Sequence, residues 1–248
     1  MHAGPTVHTS PRLLPLASRL LGLLFGLLAM TAQALEIFPV RVEAGATESV
    51  ASMQVRNPRA QAMQVQIDVL VWHQDQNQDQ LQPATDVMVV PRLLDLAPGA
   101  RQHVRIGLTG GDRRQQRSYR LRIREIPPPP APDFVGVRTV LEFSVPVFFG
   151  AERTVAPLLQ WRGRRAADGT IMVSAANLGG SYALFSRLRL LGAGDAVLAE
   201  SSRPHYVLAG AEHGWPLALA TPTAPTPDGL RLVVTSNGRE QIVPLALD

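Results

Sequence analysis

The most constraining feature of this sequence is the stretch from Phe134 to Phe149, in which apolar and polar side chains alternate. The odd positions from Val135 to Val147 are apolar or threonine, whereas Arg138 and Glu142 lie among the even positions. A period of two predicts a long β-strand with one apolar face. Two interpretations follow, an ordinary core strand of a β-sandwich or an edge strand whose apolar row is kept for another protein.

The N-terminus has the order of a secretory signal peptide. Two arginines precede the apolar run from Leu20 to Met30, and Ala32-Gln33-Ala34 follows it. This pattern predicts a signal peptide over residues 1–34 and a mature chain that begins at Leu35. The apolar run has 11 residues, and a membrane span needs about 20. We therefore expect an exported protein without stable membrane insertion.

The charged residues argue against nucleic acid as a partner. All 24 basic residues are arginine, and removal of the signal peptide leaves 22 of them against 20 acids. A surplus this small does not indicate polyanion binding. The chain also has no cysteine, which excludes disulfides, thiolate metal sites and cysteine nucleophiles.

The sequence gives no support for an enzyme. Beyond the signal peptide the histidines are scattered singly, without the H-x-x-x-H spacing of a metal site, at positions His73, His103, His205 and His213. There is no G-x-S-x-G, and a phosphate-binding loop is impossible without lysine. We predict no catalytic residues, no metal and no cofactor.

The rest of the chain reads as short strands separated by turn signals, such as Asn57-Pro58 and Pro98-Gly99. Regular spacing of this kind predicts an all-β protein made of two immunoglobulin-like β-sandwich domains in tandem, over residues 35–150 and 151–248. Pro39 interrupts the first strand, which predicts an edge strand or a strand that changes partners. The polar tract from His73 to Gln80 predicts a solvent-exposed loop.

Five segments in this order resemble the periplasmic chaperones of the chaperone–usher pilus pathway. They are PVRV (Pro39 to Val42), VRNP (Val55 to Pro58), VVPRLLDLAPGARQHVRI (Val89 to Ile106), YRLRIREIPP (Tyr119 to Pro128) and VPVFF (Val145 to Phe149). The resemblance implies a periplasmic protein that binds pilin subunits, stabilises them by donor-strand complementation and delivers them to an outer-membrane usher. It leaves open whether free copies cap their donor strands by dimerising.

The resemblance also implies the residues that contact the subunit. The donor-strand side chains would be Val135, Val137, Thr139, Leu141 and Phe143, with the row continuing to Val145. The family anchors the subunit's C-terminal carboxylate with an arginine, which Arg41 matches, and with a lysine at a position near Ser144. Because this chain lacks lysine, we expect Arg120 and Arg122 to replace it. Glu125 resembles an acid that ties the two domains together.

Two other classes of protein fit the sequence less well. A secreted two-domain adhesin or ligand-binding protein would carry exposed aromatic residues at loop tips, but the three tryptophans lie in strand-like segments. A structural pilin would need a free N-terminal donor peptide, but the mature N-terminus runs at once into the PVRV strand.

Overall fold

The computed structural model describes residues 34–110, 116–130, 132–150, 156–219 and 229–247, most of which lie in β-strands. The prediction of an all-β protein with two immunoglobulin-like sandwiches is therefore confirmed. The apolar run of the predicted signal peptide and residues 151–155, which follow the first predicted domain, lie outside the described residues. No helix within the described ranges has the length and apolarity needed to cross a membrane.

The first sandwich packs two sheets face to face. One sheet has the order β1 (Glu36–Phe38), β3 (Val50–Arg56), β8 (Arg101–Leu108) and β6 (Val87–Val90). The other has the order β2 (Val42–Ala44), β10 (Glu142–Phe149), β9 (Arg117–Ile126), β4 (Met63–Asp75) and β5 (Gln78–Pro83), and β7 (Leu93–Leu96) also pairs with β4. Alternate residues of β4 and β9, such as Ile67 and Leu121, are fully buried between the sheets, as the period of two requires.

The first strand changes sheets at Pro39. Before the proline, β1 pairs with β3 of one sheet; after it, Val42 pairs with Val147 in the other sheet. Proline lacks the N–H that would continue a ladder, so the predicted change of partners is confirmed. Arg41 lies in the short connection between β1 and β2 and is therefore held beside β10.

The polar tract from His73 to Gln80 forms a β-hairpin, and the prediction of a loop was wrong. The strands β4 and β5 pair from Leu70 opposite Pro83 to Asp75 opposite Gln78. The turn residues Gln76 and Asn77 have φ of 49° and 63°, the left-handed conformation that closes a two-residue hairpin. Both faces of this hairpin are polar, so its sequence carries no hydrophobic period that would reveal a strand.

The long strand predicted from Phe134 to Phe149 is only half formed. The strand β10 begins at Glu142, whereas residues 134–141 lie outside the sheets. The last ladder contact before β10 is the bond from the Glu125 N–H to the Leu141 carbonyl, at 3.1 Å. Alternation gave the correct faces but could not show that the partner strand β9 ends at Ile126.

The second sandwich has its own core. Its sheets contain β11 (Leu159–Arg165), β12 (Ile171–Asn177) and β17 (Glu212–Leu217); β13 (Ala183–Phe185) and β16 (His205–Val207); and β15 (Val197–Ser201), β14 (Arg187–Leu191), β18 (Arg231–Ser236) and β19 (Arg239–Pro244). Between these sheets, Leu188, Leu190 and Leu232 are completely buried.

Each sandwich contains one buried asparagine that fastens a loop. The Asn57 amide nitrogen donates to the carbonyls of Gln61 and Leu96, at 2.8 and 3.0 Å. The Asn177 amide nitrogen donates to the carbonyls of Ser181 and Val207, at 2.8 and 3.1 Å. Buried amides that are fully bonded fix loop positions, since an unmatched partner costs about 1–3 kcal/mol.

Gly179, next to Asn177 in the sequence region that follows β12, lets the backbone of residues 156–158 pass close to it. A Cβ atom at Gly179 would lie 2.5 Å from the Ala156 carbonyl oxygen and 2.5 Å from the Leu158 nitrogen. The chain that enters the second sandwich therefore passes directly over this glycine, and any side chain here would displace it.

Candidate functional site

The strand β10 has one edge that is only partly paired. Along one side it pairs with β9 over its whole length, from Glu142 to Phe149. Along the other side, β2 pairs only with Val147, Phe148 and Phe149. In the described part of the chain, no strand covers this side of residues 142–146. An open strand edge of this kind can accept a strand from another protein.

The exposure of the predicted donor side chains changes at the start of β10. Val135 and Val137 are 98% and 95% exposed, and Thr139 is also exposed. Leu141 is half-buried. The first part of the row therefore stands outside the sandwich, where a partner can reach it.

Phe143, also predicted as a donor side chain, contacts the core of the first sandwich instead. Val145, two residues further on, is 4% exposed. Both point to the inner face because β10 is held there against β9. The accessible row therefore ends at Leu141, which corrects the prediction for these two residues.

The exposed segment is stiffened by contacts of its own. The Arg138 guanidinium donates to the Pro128 carbonyl and lies 5.4 Å from the centroid of the Phe134 ring. Gly136 packs against the same ring, since a Cβ atom there would lie 3.2 Å from it. Phe134 is thereby partly covered, while Val135 and Val137 are not.

Arg41 and Arg120 lie at the same cleft between the two sandwiches. Both line a cavity of about 740 Å³ together with Pro146 and Tyr206. The Arg41 Nε donates to the Glu43 carboxylate at 2.9 Å. Arg120 lies on β9 directly opposite Pro146 of β10, so both cations stand close to the open strand edge.

The Arg120 guanidinium is held by an aromatic ring. It lies 3.7 Å from the Trp72 ring centroid and 5.5 Å from that of Tyr206, a cation–π arrangement. None of the salt bridges in the described ranges involves Arg120. Its hydrogen-bond donors are thus available to an anion, and a guanidinium binds a carboxylate in bidentate fashion.

Both guanidinium groups keep their charge at this cleft. Burial lowers the pKa of Arg120, against the opposing influence of Asp79 and Tyr206. Burial acts in the same direction on Arg41, but Tyr182, Glu43 and Tyr206 together outweigh it and the pKa of Arg41 is raised. Since arginine titrates far above neutral pH, the cleft carries two guanidinium charges near pH 7. The Glu43 carboxylate also lines the cleft and pairs with Arg41, whereas Arg120 has no acidic partner among the described salt bridges.

An aromatic cluster joins the sandwiches behind this cleft. Trp72 and Phe148 of the first sandwich and Leu208 of the second are all nearly inaccessible to solvent. Phe148 stacks on Tyr182 with ring centroids 4.0 Å apart and an interplanar angle of 18°. The cluster fixes the wall of the cleft on which Arg120 rests.

Residues 34–152 match the family described as pili and flagellar-assembly chaperone, PapD N-terminal domain. Residues 34–152 therefore belong to the assembly-chaperone family. The family consists of chaperones and not of enzymes. No group of three or more metal-binding side chains occurs in the described part of this chaperone.

Solved structures share the two-domain fold of the chaperone. A chain of the CsuC–CsuE chaperone–tip subunit complex of archaic Csu pili from Acinetobacter baumannii is 18% identical with a TM-score of 0.66, covering 87% of this chain and 100% of that one. A chain of the Salmonella enterica SafA pilin–SafB chaperone complex is 19% identical with a TM-score of 0.58, covering 86% and 95%. The Escherichia coli chaperone DraB is 21% identical with a TM-score of 0.56, covering 86% and 96%. No curated protein sequence matches the chain.

Two residues predicted for the chaperone's site lie elsewhere. Arg122 is two residues further along β9 than Arg120, where its guanidinium is 3.4 Å from the Asp68 carboxylate and does not line the cleft. Glu125 accepts bonds from Arg59 at 2.6 and 3.0 Å. Both partners of that pair belong to the first sandwich, so Glu125 does not make the predicted contact between domains.

Gln74 makes a contact between domains that the sequence did not indicate. Its amide nitrogen donates to the Tyr206 carbonyl and its amide oxygen accepts from the Leu208 N–H, each at 3.0 Å. The hairpin thus holds the backbone of the second sandwich on both sides of Val207. A polar tract carries no signal for this role. The doublet Phe148-Phe149 carries one for the aromatic cluster that the sequence analysis did not use, since neighbouring strand residues face opposite sides.

We expect Gln74→Leu to lower the free energy of unfolding by about 1–3 kcal/mol, because the bonded groups of Tyr206 and Leu208 lose their partner. The measurement is urea denaturation of the mature protein. Gln78→Leu, at the exposed start of β5 in the same hairpin, is the matched control. Equal stability of the two variants would show that the hydrogen bonds of Gln74 to Tyr206 and Leu208 do not stabilise the protein.

Proposed function

We propose that this chaperone binds pilus subunits in the periplasm by donor-strand complementation and delivers them to an outer-membrane usher. The observation that carries the proposal is the open edge of β10, which continues at its N-terminal end into the exposed side chains Val135 and Val137. A subunit that lacks one strand of its own sheet would pair with this edge and bury the apolar row. Each buried side chain of this kind is worth about 1.5–3 kcal/mol before ordering costs.

Arg41 and Arg120 support a second contact with the subunit, at its C-terminus. We infer that they bind the C-terminal carboxylate of the subunit, which fixes the register in which its last strand pairs with residues 134–146. Arg120 then serves in place of the lysine that the chain lacks. In this proposal residues 35–150 supply the strand, residues 151–248 supply the other wall of the cleft, and the signal peptide of residues 1–34 directs export.

The nature of the partner is supported by the solved structures. Two of the similar structures are complexes of a chaperone with a pilin or with a tip subunit.

The competing interpretation as an adhesin loses support because Trp72 and Trp215 are 2% and 6% exposed, whereas a sugar-binding surface would present such rings to solvent.

The test is co-expression of the mature chaperone with a pilus subunit from the same gene cluster, followed by amide hydrogen exchange. We expect a soluble one-to-one complex in which the amides of residues 134–145 become protected, because pairing with the subunit satisfies them. The amides of β6, at the far edge of the other sheet, are the control and should exchange as in the free protein. A complex without new protection in residues 134–145 would overturn strand donation, and the absence of any complex would favour the adhesin.

A further inference from the structure

We propose that the cleft beside Arg41 and Arg120 selects subunits whose last residue has a large apolar side chain, and that Phe38 and Val40 form the surface that binds it. This inference rests on the proposed function, since the ligand is the C-terminal residue of the subunit. It adds a recognition element for the terminal side chain to the anchor for the terminal carboxylate.

Among the residues that the structure describes, Phe38 and Val40 are the two most exposed large apolar residues outside the donor row. They are 76% and 74% exposed and flank Pro39, at the point where the first strand changes sheets. Both line the same cavity as the two arginines. Exposed apolar side chains beside a charged cleft mark a contact surface for an amphipathic ligand.

The position of Phe38 follows from strand alternation. Ile37 packs against the core of the first sandwich, so the next residue of β1 points outward. Arg41, three residues later and beyond the end of β1, lines the same cavity. The sequence thus places a benzyl ring and a guanidinium at one cleft without burying either.

The chemistry of the cleft wall favours an apolar terminal residue over a polar one. Besides Phe38 and Val40, the wall contains Pro39, Pro146 and Pro204. Proline has no backbone N–H, so this part of the wall offers few donors to a polar side chain, which would lose its hydration without compensation. An apolar side chain would instead gain burial against Phe38, while the terminal carboxylate takes the available donors of Arg120.

The experiment titrates the mature chaperone with three peptides and follows binding by NMR. The peptides are the free acids acetyl-Ser-Thr-Phe and acetyl-Ser-Thr-Gly and the amide of acetyl-Ser-Thr-Phe. We expect the phenylalanine acid to bind about tenfold more tightly than the glycine acid, since burial of one aromatic side chain supplies that difference. The amide should bind more weakly than its acid because it lacks the charge that the arginines bind.

Variants test which residues of the chaperone cause the preference for a terminal phenylalanine. Phe38→Ser and Val40→Ser should each reduce the preference for phenylalanine to about threefold or less, while the preference for acid over amide remains. Val50→Ser, at a residue that is 56% exposed and does not line the cleft, is the matched control and should leave both preferences unchanged.

The outcomes separate this inference from the proposed function. Equal binding of the two acids, each tighter than the amide, would overturn the apolar surface and leave the carboxylate anchor intact. Equal binding of acid and amide would overturn the anchor, and with it the inference. No binding of the phenylalanine acid at about 10 mM, an affinity too weak for any specific site, would overturn the inference even if a subunit complex forms.

Discussion

Val137→Arg is expected to abolish the soluble complex between the chaperone and its subunit while leaving the chaperone folded. Val137 is 95% exposed in the free protein and touches no core residue, so an arginine there costs little stability. In the complex the same position would insert into an apolar groove. Loss of the apolar contact together with burial of an unpaired charge weakens binding by at least about 100-fold.

The measurement is a pull-down of the subunit by the tagged chaperone, with circular dichroism of each purified variant. Val197→Arg, at a half-exposed apolar residue of the second sandwich, is the control and should bind as the wild type does. Val145→Arg should unfold the chaperone, because Val145 lies in the core. A Val137→Arg variant that retains the subunit would show that the exposed row is not the donor.

Arg120→Ala is expected to reduce subunit affinity by about 30-fold or more, because removal of one partner of a desolvated charge pair costs about 2–5 kcal/mol. Arg122→Ala is the matched comparison, on the same strand and the same face. Since Arg122 pairs with Asp68 at a partly exposed position outside the cleft, and exposed pairs contribute about 0–1 kcal/mol, we expect subunit affinity to change by no more than about twofold.

Titration calorimetry of the purified chaperone with the subunit, refolded in the presence of excess chaperone, measures both affinities. A subunit whose C-terminal carboxylate is converted to an amide would distinguish loss of the anchor from a general loss of fit, since it should bind the wild type and Arg120→Ala equally. If Arg122→Ala weakens binding as much as Arg120→Ala does, the anchor extends along the whole arginine face of β9 and not only to the cleft.

The strands that face a core could be predicted because burial of one strand face makes apolar residues recur at every second position. The residues Ile67 and Leu121 are buried on the inner faces of β4 and β9, as alternation requires. The resemblance pointed to Arg41, and the absence of lysine pointed to Arg120 and Arg122 as substitutes. Arg122 could not be separated from Arg120 in this way, because alternation assigns both to one face. Only the tertiary structure shows that Arg120 reaches Trp72 and the second sandwich.

The remaining errors have a common physical origin. Alternation reports which side of a strand could be buried but not whether a neighbouring strand exists, so Phe134 to Leu141 were predicted as strand although nothing pairs with most of their backbone in the described structure. The hairpin that carries Gln74 shows the reverse case, in which backbone pairing is complete but the side chains are polar on both faces.

That residues 134–141 lie outside the sheets has a consequence for release of the cargo. In the proposed complex this segment would give up contacts of its own, such as the bond from Arg138 to the Pro128 carbonyl. The loss of those contacts, together with about 1–2 kcal/mol for each residue newly fixed, would be subtracted from the free energy of subunit binding. A competing strand that is already extended would bind the same groove without that deduction. The proposed complex would therefore be open to replacement of the chaperone segment by a competing strand of that kind.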